Sequence, residues 1–311
     1  MTTADGSVVK GDQGEAEKKG LIYAGRIVGK TLYRIRESHV RDHYVPLMKK
    51  GAVGAVKLDL LLRGIALLPE HTGGRREAIG RVSPYASYED LHDLIRSPDL
   101  YSNTPESPYD YDDAQQRKLK REWIREQIEK LEELKLVSRV VHESGGRPRL
   151  VARRDDGSGK DLDDPSGTAG SSYLTTLGSV FSSKAVRDWG TPEVSFYFAA
   201  MIAERHHRFL SKQSSLPGGG EWFQALTWFA DKEGYRGEGH VKIPFSIATL
   251  DRGLRSFLNS GLLEKRLTRK NPLTGANFRR GSRNVYTNKF AELDTGSRVV
   301  EIDLMQDPGR V

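Results

Sequence analysis

Residues 246–288, SIATLDRGLRSFLNSGLLEKRLTRKNPLTGANFRRGSRNVYTN, constrain the fold more than any other stretch. Ile247, Leu250, Leu254, Phe257 and Leu258 recur at helical spacing and predict one apolar stripe. Thr249, Asp251, Arg252, Arg255, Ser256 and Asn259 fall on the opposite face. Ser246 is the expected N-cap, because its hydroxyl accepts from an unpaired amide of the first turn. Gly261 is the expected stop, since it adopts the left-handed conformation that ends helices. Leu262 to Lys270 then reads as a strand and Val285 to Asn288 as its partner. Asn271, Pro272 and Gly275 supply the turn between them. From 246 to 290, ten Lys and Arg face only Asp251 and Glu264. Ordinary solvated faces mix both signs, so a balance of about +8 asks for an acidic partner.

A helix, a glycine stop, Gly-Leu-Leu and a basic hairpin together resemble the second half of a winged-helix domain. The resemblance covers roughly 190–290 and rests on pattern. It implies a recognition helix in the major groove of DNA and a wing on the backbone or in the minor groove.

The rest of the 311-residue chain sets bounds. Its length allows two domains, each with a core. No apolar run reaches the roughly 18 residues of a membrane span, and the first residues lack the apolar core of a signal peptide. Cysteine is absent, which excludes disulfides and thiolate metal clusters and fits a cytoplasmic protein. The net charge of +7 favours nucleic acid only where the charge is clustered.

Composition divides the chain into a disordered tail (1–20), a basic arm (21–52), a first domain (53–154), a flexible linker (155–172), a second domain (173–290) and a C-terminal tail (291–311). The arm interleaves apolar and basic residues. It reads either as a phosphate-touching extension or as a short element packed on the next domain. Val53 to Leu68 predicts a strongly apolar helix, and Ser87 to Ile95 a second. Asp112 or Asp113 opens a long helix to about Leu134. Strands follow at Leu136 to Val141 and Arg147 to Arg153, around Gly145-Gly146. Helix, strand, tight turn and strand again resemble a winged helix. The linker is Gly-, Ser-, Asp- and Pro-rich. In the second domain, Thr191 caps a helix with Pro192 at its start, and Phe196 to Phe209 is its apolar body. Glu221 to Lys232 reads as a further helix whose aromatic residues serve the core. In the C-terminal tail, Val299, Val300, Ile302 and Leu304 offer an added strand or a homodimer contact.

Chemistry is sparse. Gly29-Lys30-Thr31 resembles the end of a phosphate-binding loop, but the required earlier glycine is Ala24. His206 and His207 are adjacent, so on a helix their rings point about 100° apart and cannot share a metal. Asp110 to Asp113 has an adequate role at a helix's positive end. His39, Arg41, His43 and Tyr44 match no catalytic relay. No enzyme, cofactor, metal site or small-molecule substrate is therefore expected.

The expected fold is mainly α with small β-hairpin wings, an α+β chain of two winged-helix domains. The expected partner is double-stranded DNA. On the second domain the contacts are assigned to Thr249, Arg252, Arg255 and Ser256 of the helix, and to Arg269, Lys270, Arg279, Arg280 and Arg283 of the hairpin. On the first they are Arg117, Lys118, Lys120, Arg121 and Arg125 of the long helix, with Arg147 and Arg149 of its hairpin. Tandem winged helices resemble plasmid replication initiators, and next to these winged-helix transcriptional regulators. An adaptor that uses winged helices to bind proteins is the remaining class.

Overall fold

The computed structural model describes residues 32–66, 88–96, 112–140, 149–162, 173–177, 184–211, 220–229, 245–279 and 281–290. Residues 1–31 and 291–311, which include both expected tails and much of the basic arm, lie outside these, as do Arg147 and Arg280. The chain is mixed α+β with small sheets. No described helix is long and apolar enough to cross a membrane.

Strand β1 (Leu32–Arg36) leads into a helical run, α1 (37–49), that contains a π turn at Val40–Tyr44. Helix α2 (Val53–Ala66) follows, buried on nearly every described side. Helix α3 (Tyr88–Ile95) and the long α4 (Asp113–Glu133) pack against it. Asp112 caps α4 in a full capping box: its carboxylate accepts from the Gln115 amide, and the Gln115 side chain accepts from the Asp112 amide. Ile124, Ile128 and Leu131 form the buried stripe of α4. Gly54 lets α2 approach it, since a Cβ there would lie 2.5 Å from the Trp123 ring. Strands β2 (Val137–Val140) and β3 (Arg149–Ala152) form an antiparallel pair after α4.

The second half begins with β4 (Tyr173–Leu177), which pairs antiparallel with β1. A short helix, α5 (Lys184–Asp188), precedes α6 (Thr191–Ser211). Strand β5 (Glu221–Trp222), a 3-10 turn at Leu226–Trp228, helix α7 (Ile247–Asn259), β6 (Leu263–Thr268) and β7 (Arg283–Asn288) complete it. The three strands form one antiparallel sheet in the order β5-β7-β6. Ser246 and Gly261 bound α7 as expected: the Ser246 hydroxyl accepts from the Thr249 amide, and Gly261 has φ +74°.

One expectation is overturned between 221 and 232. Residues 221–229 form a strand and a 3-10 turn, not a helix. Glu221 and Trp222 pair with Thr287 and Tyr286. The Trp222 ring is fully buried, stacks on Tyr286, and donates its Nε1–H to Asn288 at 3.0 Å. Sheet pairing and a satisfied indole outweigh helical propensity here. Asn288 in turn donates to Glu204 of α6 at 2.6 Å, and Arg208 donates to the other Glu204 oxygen at 2.8 Å. Every member of this chain of bonds has a partner, as a buried polar group requires.

The two halves meet through one buried hydrophobic cluster and a buried ionic network. Arg36 donates through both backbone and side chain to the Asp155 carboxylate. His39 lies between the Asp155 carbonyl (2.8 Å) and the Asp59 carboxylate (3.0 Å). Tyr44 and Arg63 donate to the same Asp59 oxygen, each at 2.7 Å. Arg63 also reaches the Arg153 carbonyl, and Arg205 of α6 pairs with buried Glu37. The arm's described part is thus a packed element, the second of its two readings. Asp155, where the expected linker starts, is buried within the network; residues 163–172 lie outside the described residues. Burial, with the nearby Arg63 charge, pushes the His39 pKa down, while the Asp59 carboxylate opposes this. The Arg63 and His39 partners hold Asp59 far below the usual carboxylate range despite its burial.

Candidate nucleic-acid interface

The α7 helix sits on α6 at very short range. A Cβ on Gly253 would lie 2.3 Å from the Pro192 carbonyl oxygen and 2.5 Å from the Phe196 Cβ, so only glycine fits. Leu250, Leu254 and Phe257 are buried on that side, and Phe257 packs its ring on Trp189, Phe196 and Phe290. This seat turns Ala248, Arg252, Arg255 and Asn259 outward, at spacings of four, three and four. Ile247, expected in the apolar stripe, is instead half exposed at the helix start.

The expected helix residues divide accordingly. Arg252 is exposed and, among the described residues, has no ion-pair partner. Arg255 is exposed but pairs with Asp251 one turn away, at 2.7 Å. Thr249 is half-buried, and its hydroxyl bonds the Ser246 cap at 2.7 Å. It is part of the cap, not of the outward face. Ser256 is also only partly exposed.

The hairpin extends past β6. Lys270 bridges to Asn277, the Phe278 amide donates to the Arg269 carbonyl, and the Asn271 amide donates to Ala276. Gly275 at φ +68° closes this tip. Among the described residues of the return to β7, Arg279, Gly281 and Ser282 have no counterpart across the ladder: Arg269 bonds Phe278, while Thr268 already pairs with Arg283. The sequence places Arg279 and Arg280 in this return. Phe278 anchors the tip by an edge contact with Phe223.

Charge is distributed unevenly along the hairpin. Lys265, Arg269, Lys270 and Arg279 are exposed and lack ion-pair partners among the described residues. Arg266 bonds both carboxylate oxygens of Glu221, at 2.9 and 3.0 Å. Arg283 lies over the Phe278 ring at 5.1 Å, which orders it while leaving it exposed. Lys265 stands outside the residues assigned from sequence. No local signal separates it from Arg266; only the position of Glu221 does.

The first half differs. Lys120 is turned inward and pairs with Asp93 of α3 at 2.9 Å, and Arg121 pairs with Glu89. Both are removed from a free basic face, because they fasten α3 to α4. Lys118 lies 4.0 Å from Glu122. Arg117 and Arg125 are exposed without ion-pair partners among the described residues. Arg149 lies in β3. His207 is buried against Phe223, and His206 packs on Trp228, so the adjacent pair serves packing.

Comparison of the chain with protein-family models, with curated proteins and with solved structures finds no match.

Proposed function

We propose that the protein binds duplex DNA through α7 and the β6–β7 hairpin, used as the recognition helix and wing of a winged-helix domain. The element order supports this reading: α6, β5, α7, β6, β7, with the first strand beside the third. The observation that carries it is the set of exposed cations without ion-pair partners among the described residues. Arg252 is on the helix; Lys265, Arg269, Lys270 and Arg279 are on the hairpin. A hairpin whose charges served stability would pair them, as Arg266 is paired. Unpaired cations on a rigid support are what phosphate contact asks for, because each displaces condensed counterions. Arg252 near the start of an exposed helix face supplies a guanidinium for base edges in the major groove.

Helices α2, α3 and α4 followed by the β2–β3 hairpin support a second helix-and-hairpin unit, one without a counterpart of β5 among the described residues. Replication initiation is the use favoured by two such units in one chain. A transcriptional regulator needs only one strong DNA face, and the uneven charge of the two units favours that second reading.

The test is fluorescence anisotropy with a random-sequence 30-base-pair duplex between about 50 and 200 mM salt, the range over which several phosphate contacts cost orders of magnitude in affinity. The expected result is steep weakening. Affinity that is absent at low salt, or flat across the range, overturns the proposal.

A further inference from the structure

We propose that Leu267 is an apolar wedge with which the hairpin enters the minor groove and bends the duplex; this rests on the duplex-DNA reading above. Leu267 is 71% exposed although it lies inside β6, well before the hairpin tip. Its nearest neighbours two residues away are Lys265 and Arg269, both exposed and without ion-pair partners among the described residues. Asn284 is directly opposite in the strand register.

This arrangement suits a minor groove. A strand rises about 3.3 Å per residue, so Lys265 and Arg269 start roughly 13 Å apart with Leu267 midway. The groove is about 6 Å wide. Two long cationic side chains therefore reach the phosphates of both walls while the leucine points at the floor. Leucine is among the side chains that unstack base steps in this way. The Asn284 amide offers a donor and an acceptor beside it, for the acceptors that line the groove.

The support is rigid enough for insertion. Arg266 and Glu221 clamp one side of the strand, Trp222 stacks on Tyr286, and Phe278 is fixed by Phe223. A mobile hairpin would fold its leucine back onto apolar neighbours. Here the strand pairing holds it out. A lone exposed leucine needs no explanation by itself. One flanked by Lys265 on its own strand and by Arg269 just past the strand's end, both without ion-pair partners among the described residues, matches the chemistry of nucleic acid.

The test uses the full chain and a 30-base-pair duplex carrying donor and acceptor dyes at its two ends. Binding is read by anisotropy and bending by energy transfer in the same sample. The variants are Leu267→Ala, Leu267→Ser and Leu267→Phe, each checked for an unchanged melting temperature. The expected result is a bend of at least about 20° with the wild type, lost in L267A and L267S and kept in L267F. Affinity in the Ala and Ser variants should fall by less than about tenfold, since the phosphate contacts remain. A wild type that binds without bending, or an L267A that bends equally, overturns the wedge and leaves the DNA reading standing. A wild type that binds no duplex at low salt overturns both, and would leave the hairpin to an acidic protein partner.

Discussion

Helix α4 and the α7 hairpin unit both present runs of Lys and Arg in the sequence, yet they use them differently. From Asp113 to Glu133, six basic residues meet six acidic ones, so α4 is neutral overall. Lys120 and Arg121 reach across to Asp93 and Glu89 and hold α3 in place. From 246 to 290, ten basic residues meet two acidic ones. Glu221 neutralises Arg266, and Asp251 neutralises Arg255. Arg252, Lys265, Arg269, Lys270 and Arg279 have no ion-pair partner among the described residues. A charge run points to a partner only to the extent that the fold fails to pair it. By that measure the C-terminal unit is the better candidate for the proposed interface, while the Lys120 and Arg121 charges of α4 serve its contact with α3.

The largest expected effect falls on both regions at once. Asp59→Ala removes the carboxylate that accepts from His39, Tyr44 and Arg63, and strands a buried guanidinium. Breaking such a buried pair costs about 3–5 kcal/mol. Chemical denaturation should show it. A separate, unshifted transition for the second half would mean that the two halves are not coupled through this seam.

Gly253→Ala comes next. Its Cβ would meet the Pro192 backbone, which cannot move aside without shifting α6. Overpacking of this kind costs about 1–3 kcal/mol. Gly54→Ala meets the Trp123 side chain instead, and a partly exposed ring yields more easily. The α7 seat should be the less tolerant, measured as the difference in melting temperature between the two variants. Equal losses would remove the distinction.

Removing Lys120 or Arg121 should cost about 1 kcal/mol or less, because both pairs are partly exposed. DNA affinity should not follow. If either variant weakened DNA binding tenfold while leaving stability intact, α4 would rejoin the interface.

The smallest effect is a pH dependence shared by both halves. Burial lowers the pKa of His39, His43, His92 and His207. The unfolded chain takes up these protons first, near the ordinary value of about 6.5. Stability should therefore be full above that pH and decline as pH falls below about 6.5. Melting curves across this window check the sign; a rise on acidification would contradict it.

Much of the helix and hairpin that carry the candidate site was legible in the sequence because it is local. The α7 cap, stripe and glycine stop, the strand and hairpin after it, and the start of α4 at Asp112 all lie within a few residues of their causes. What could not be read depends on distant partners. Arg36 and Asp155 are 119 positions apart, and Arg205 and Glu37 are 168. No local pattern reveals that Asp155, in a linker-like composition, is a buried counter-ion. Glu221 and Trp222 were misread for the same reason, since their β7 partners lie more than sixty positions on. Nothing in the sequence sets Leu267 apart from the other apolar residues; its exposure in the folded chain does.

The comparison of the two regions rests on one measurement above the others: the salt dependence of duplex binding after charge removal from each. One variant replaces Lys265, Arg269, Lys270 and Arg279 with Ala; the other replaces Arg117, Lys118, Arg121 and Arg125. Each phosphate contact contributes about 0.9 to the slope of log affinity against log salt. The hairpin variant should lose up to about 3.6 units of slope and most of its low-salt affinity, while the α4 variant keeps its slope within about one unit. Equal losses in the two variants, or a larger loss in α4, would contradict the assignment of the DNA face to the C-terminal helix and hairpin.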